Sequence, residues 1–115
     1  MNKYLATQIL KEDEGFRGHM YFDTEGIPTI GYGFNLRDSE MPEAIAAALL
    51  EAKIQEAEQD CLRNLSAWYV LPEKVQTVLV CLAYNMGIHG LLGFRKMIDH
   101  MEKAEYQQAG DELLI

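Results

Sequence analysis

Residues Glu14 to Gly33 read EGFRGHMYFDTEGIPTIGYG, and within that stretch Glu14, Asp23 and Thr29 fall at the spacing Glu-x8-Asp-x5-Thr, followed by Gly31-x-Gly33. The segment ahead of it, NKYLATQILKEDE, sets Tyr4, Leu5, Ile9 and Leu10 at helical intervals, and Gly15 stands where a C-cap glycine belongs. This predicts a helix ending at Glu14, whose side chain then projects from a rigid terminus. Downstream, Met20-Tyr21-Phe22, the turn-rich Asp23-Thr24-Glu25-Gly26 and the β-prone run from Ile27 to Gly33 predict a short antiparallel hairpin or small sheet. A helix end facing a hairpin makes the wall of a cleft.

Two carboxyl groups on such a wall suit glycoside cleavage. One must be protonated, to give its proton to the departing oxygen, and the other ionised, to activate water or attack carbon. Glu14 and Asp23 are the natural pair, and Thr29 offers a hydroxyl that accepts and donates at once, able to fix a water beside Asp23. Each residue taken singly also has a structural reading: a helix-terminal Glu is solvated, an Asp beside a glycine serves a turn, and a strand Thr fills β-space. Gly26 supplies a turn, while Gly31 and Gly33 let the backbone run close to another element or a sugar ring. Neither a Gly-x-Gly-x-x-Gly pattern nor a helix start follows them, which argues against phosphate binding.

The text DEGFRGHMYFDTEGIPTIGYG resembles the catalytic region of the phage lysozymes, the endolysins of glycoside hydrolase family 24. Further on, LVCLAYNMGIHGLLGFRKMIDHMEKAEYQQAGDELL is similar to that family's central helix, its Asn-x-Gly turn and the two short helices after it. The resemblance implies an α+β, lysozyme-like fold: one domain over 1–115, with a small sheet lobe at about 13–60 and a helical lobe at about 1–12 and 61–115, the N-terminal helix packing back. It implies Glu14 as general acid, Asp23 as second carboxylate and Thr29 as the residue that positions water, with Asn35, Tyr84 and Asn85 contacting substrate. A core aromatic and a helix-terminal Asn remain the plain readings of Tyr84 and Asn85. The implied substrate is peptidoglycan, cut at the β-1,4 bond from N-acetylmuramic acid to N-acetylglucosamine, with inversion.

Three departures from the family pattern bear on these expectations. The sequence stops at Asp111-Glu112-Leu113-Leu114-Ile115, where the family continues with a Trp-containing, Arg-rich segment; this predicts an exposed apolar patch near the C-terminus and self-association through it. Phe34 stands where the family often has His. The net charge is −8, whereas many lytic members are basic and gain from attraction to anionic walls. Two alternatives therefore stay open: a weakly active or inactive lysozyme-like module that binds glycan or a partner, and a plain acidic helical interaction domain. The second gives no reason for the carboxylate spacing to coincide with the hairpin text.

At 115 residues the chain is long enough for one modest core. Its acidity, without basic-aromatic clusters, argues against nucleic acid as a partner. No stretch reads as a transmembrane span or a signal peptide, so no membrane insertion is expected, and the family resemblance implies a host-cytoplasmic origin with action on the periplasmic wall after release. His19, His89 and His100 are scattered, Cys61 and Cys81 read as reduced packing residues, and neither a metal nor a cofactor is expected.

The remainder reads as helix. Ser39-Glu40-Met41-Pro42 is a helix start, and apolar positions Ile45, Leu49, Ile54, Ala57, Cys61 and Leu65 predict one helix or two after it. Beyond a loop at Ser66 to Pro72, Glu73 to Met86 is so apolar that it predicts a buried central helix. Phe94 to Met101 and Ala104 to Leu114 predict two more helices, the first turning Phe94, Met97, Ile98 and Met101 inward.

Overall fold

The structure is a computed structural model that describes residues 1–113. Its fold class is the expected α+β, arranged as two units, Met1–Pro42 and one that begins at Glu43.

In the first unit Asn2 caps helix α1 (Lys3–Glu14), its side chain accepting from the Leu5 N–H at 2.9 Å. The helix stops because Gly15 takes φ 68 and returns its N–H to the Lys11 carbonyl, as the glycine's position in the sequence predicts. Three antiparallel strands follow in the order β1 (Arg17–Phe22), β2 (Pro28–Gly31), β3 (Phe34–Asn35). Pro28 is the first residue of the middle strand, where its missing N–H does least harm to the ladder. Register pairs Tyr21 with Thr29 and Thr29 with Asn35, so these three form a row across the sheet. A register shift between Arg17 and Tyr21 bends the outer strand. Among the described residues the buried hydrophobic side chains all lie in the second unit; in the first, Thr29 is buried, at 4% exposure.

The second unit opens with α2 (Glu43–Asn64), a single helix where the sequence left one or two open. A short 3-10 turn (Trp68–Val70) leads to α3 (Glu73–Leu92), then α4 (Arg95–Glu102) and α5 (Tyr106–Leu113). The core forms from Ala57, Cys61 and Leu65, one stripe at helical spacing, with Trp68, Leu71, Leu79, Ala83, Leu91, Met97, Met101 and Ala109. Phe94 and Ile98 pack against it, so the inward face predicted for α4 is found.

Several expectations for this unit need correction. Helix α3 is not buried all round: Leu79, Ala83 and Leu91 are, while Val78 is 52% exposed. Apolar count tells how hydrophobic a helix is, not how many sides have a partner. The first part of α3 does end at Met86 as expected, because Gly87 takes the non-helical φ 77, ψ 160, and a short second helical stretch continues beyond that kink to Leu92. By length and composition alone, with 20 residues and a mean hydropathy of 1.4, Glu73–Leu92 is long and apolar enough to cross a membrane, but the non-helical Gly87 interrupts it and it supplies three core residues. Cys81 is exposed rather than packed; Cys61 is buried, and its thiol is pushed up to about 11 by burial and then by Asp60 and Glu58. Helix α5 begins at Tyr106, not Ala104, since Ala104 takes φ 59. Leu114, the expected end of that helix, lies outside the described residues.

Candidate active site

Helix α1 delivers Glu14 on its last residue, and the carboxyl group rests against the backbone of Gly33. The approach is so close that a β-carbon added at Gly33 would stand 2.5 Å from Glu14 Oε2 and 2.7 Å from its Cδ. Lys11 shares this helix face, three residues earlier, and its ammonium lies 5.5 Å from the centroid of the Tyr32 ring. Phe16 also packs on Tyr32, its ring centroid 5.6 Å from that of Tyr32. The end of α1 is thus fastened to the turn at Tyr32 and Gly33 through three side chains.

Asp23 is held differently. Its Oδ1 accepts from the backbone N–H groups of Glu25 at 2.8 Å and Ile27 at 2.9 Å, an Asx turn that closes the hairpin. The backbone repeats the closure, Asp23 N–H donating to Ile27 O and Gly26 N–H to Asp23 O, both at 3.0 Å. The turn thus fixes the carboxylate's orientation through one oxygen and leaves the other, Oδ2, for other chemistry. The structural and chemical readings of Asp23 are compatible, because they use different oxygens.

Thr29 joins the same network. Its hydroxyl donates to the Ile27 carbonyl at 2.8 Å, and Ile27 in turn donates to Asp23 Oδ1. With its proton committed, Thr29 Oγ1 faces any further partner as an acceptor, narrower than the accept-and-donate role read from the sequence. Asn35 stands opposite Thr29 on β3, but its amide is engaged locally: Oδ1 accepts from the N–H groups of Arg37 and Asp38, and Nδ2 reaches Asp38 Oδ2 at 3.3 Å. Hydrogen bonds from Arg37 and then Asn35 hold the Asp38 carboxyl below the usual carboxylate range. The family resemblance implies a substrate contact for Asn35, and the structure shows its amide also serving this turn.

Glu14, Asp23, Thr29 and Asn35 all belong to the first unit; Tyr84 and Asn85 belong to the second. There they line a groove of about 720 Å³ between α2 and α3, with Trp68, Tyr69, Gln76 and Cys81. Gln76 braces the groove floor, its Nε2 donating to the Trp68 carbonyl at 2.6 Å. Sequence reasoning missed the Lys11–Tyr32 and Phe16–Tyr32 contacts. The available signal was the three-residue interval between Lys11 and Glu14, which sets both on one helix face.

A profile of the family described as phage lysozyme matches residues 11–115, a span that takes in all six site positions. Among curated proteins the chain is similar to the pre-baseplate central spike protein Gp5 of Enterobacteria phage T4, at 26% identity over 130 residues, covering 89% of this chain. The chain spans 23% of that protein's length.

Proposed function

The chain belongs to the phage lysozyme family, and on that premise we propose that it hydrolyses peptidoglycan at the β-1,4 bond from N-acetylmuramic acid to N-acetylglucosamine, with inversion. Glu14, protonated, gives its proton to the glycosidic oxygen as the bond from that oxygen to the anomeric carbon breaks. A water on the opposite face of the ring forms the new bond to that carbon. One hydrogen of the water points to the free oxygen of Asp23, which takes the proton. The other points to Thr29 Oγ1, so the water's lone pair is left facing the sugar. Turnover then requires only that Glu14 regain a proton and Asp23 lose one to solvent. Tyr84 and Asn85 are proposed as contacts to the glycan, and Asn35 as the residue that keeps the turn beside Thr29 in shape.

The observation that supports this reading is the hydrogen-bond chain from Thr29 through Ile27 to Asp23, which links an acceptor hydroxyl and a tethered carboxylate within one hairpin. The test is release of reducing ends from purified peptidoglycan, with the anomer of the first product followed by NMR. Wild-type chain should release the α-anomer, and Glu14→Gln should lower turnover by roughly two orders of magnitude or more. Retention of the β-anomer would refute inversion, and undiminished turnover in Glu14→Gln would refute the assignment of the acid.

A second reading concerns where the activity works. Similarity to a pre-baseplate central spike protein favours a hydrolase carried on a virion over one released at lysis. Detection of the chain in purified virions supports the former; its confinement to the lysate supports the latter.

A further inference from the structure

Resting on the assignment of Glu14 as the acid, we infer that Gly33 is a positioning residue whose missing side chain forms the seat of the Glu14 carboxyl group. Three atoms of Glu14, namely Oε2, Cδ and Cγ, come within 2.5, 2.7 and 3.2 Å of where a β-carbon at Gly33 would be. The first two distances are shorter than any non-bonded contact to carbon, so a methyl group and the carboxyl group cannot share the place. The neighbouring glycine supplies the contrast: Gly31 has a similar left-handed backbone, φ 69 against 77, yet a β-carbon there meets nothing within 4 Å. One glycine of the pair is required by its backbone alone, the other by its backbone and by Glu14.

The seat is held in register with the helix that carries the acid. Tyr32 is gripped by Lys11 of α1 and by Phe16 just beyond it, which fixes the turn presenting Gly33 under the last turn of the helix. The three atoms nearest to a β-carbon at position 33 all belong to the flexible side chain of Glu14, so its carboxyl group is the first thing to be displaced. Because the end of a glutamate moves at little cost, the molecule still folds; the acid is simply elsewhere. A displacement of about an ångström in a reacting group is enough to cost about a hundredfold in rate. The structure therefore ties an alanine at position 33 to a defect in chemistry beyond the strain any left-handed alanine suffers.

The experiment compares Gly33→Ala with Gly31→Ala by thermal midpoint and by kcat and KM on solubilised peptidoglycan. Both should lower the midpoint by similar amounts, since both force a β-carbon into left-handed backbone. Gly31→Ala should leave kcat within about threefold, whereas Gly33→Ala should lower it at least tenfold with KM little changed. In a Glu14→Asp background, where the shorter side chain withdraws from the seat, Gly33→Ala should cost no further kcat. Gly33→Asn, which tolerates left-handed backbone better than alanine, repeats the measurement if Gly33→Ala does not fold. Equal kcat losses at positions 31 and 33, or full additivity with Glu14→Asp, would overturn the inference. Wild-type turnover in Glu14→Gln would instead overturn the assignment of the acid on which it rests, and the two failures are distinct.

Discussion

Asp23 has two occupations, and substitution can separate them. Asn keeps an acceptor oxygen for the N–H groups of Glu25 and Ile27 but cannot take a proton, whereas Ala removes both functions. Asp23→Asn should therefore melt within a few degrees of the parent chain and lose about 10²-fold or more in turnover, while Asp23→Ala should lose comparable activity and melt lower. Circular dichroism melts beside turnover measurements separate the two. At Thr29 the same logic distinguishes shape from chemistry: Thr29→Val keeps the β-branched volume of a residue 4% exposed but deletes the acceptor, and Thr29→Ser restores it. Turnover should fall in the first and largely survive in the second; equal loss in both would mean that packing, not the hydroxyl, matters. These residue types and intervals were legible in the sequence because acid/base chemistry restricts which side chains can serve. What was not legible is how each atom is already engaged. That Thr29 spends its proton on Ile27, and Asn35 its amide on the Arg37–Asp38 turn, depends on where a hairpin closes to within a residue.

Among the elements, legibility followed punctuation. Helix α1 ends where Gly15 says it should, and the hairpin turns at Asp23 to Gly26, because cap and turn chemistry is local and needs nothing beyond a few residues. Helix α3 was harder. Its run of apolar residues conceals which side meets the core, a matter of neighbours distant in sequence, although Gly87 does mark the kink after Met86 that its place in the sequence suggests. That kink carries a prediction: Gly87 has φ 77 with open space around a would-be β-carbon, so Gly87→Ala meets strain but no clash. It should cost about 1 kcal/mol in chemical denaturation without changing the m-value. A cost near zero would show that the helix straightens through the alanine instead.

Over the whole molecule, charge and core make separate demands. With a net charge of −8, the chain is repelled by an anionic wall, so clearing of whole sacculi should quicken as salt rises from about 10 mM toward 150 mM and the Debye length shrinks toward 8 Å. Clearing that slows over that range would reveal a local basic contact outweighing the net charge. The core sets a limit at the other end of the pH scale. Cys61, buried beside Asp60 and Glu58, keeps its proton to about pH 11, whereas the unfolded thiol loses it near 9. The unfolded state thus binds fewer protons between those values. Stability due to the buried neutral thiol is complete below pH 9 and is lost as pH rises toward 11. Urea midpoints measured across that window should fall, and should fall less in Cys61→Ala.

The tether on Asp23 has one more consequence. A carboxylate in water has two interchangeable oxygens, but here exchange would require the hairpin turn to open, because Oδ1 is bound by two backbone N–H groups. The group is therefore desymmetrised, and its two carbon–oxygen bonds differ in order. Isotope-edited infrared difference spectra, with ¹³C placed in the aspartate carboxyls and Asp23→Asn subtracted, should show antisymmetric and symmetric stretches split more widely than in a free aspartate. Collapse of that splitting in mild denaturant would report the opening of this one turn while the helices remain formed.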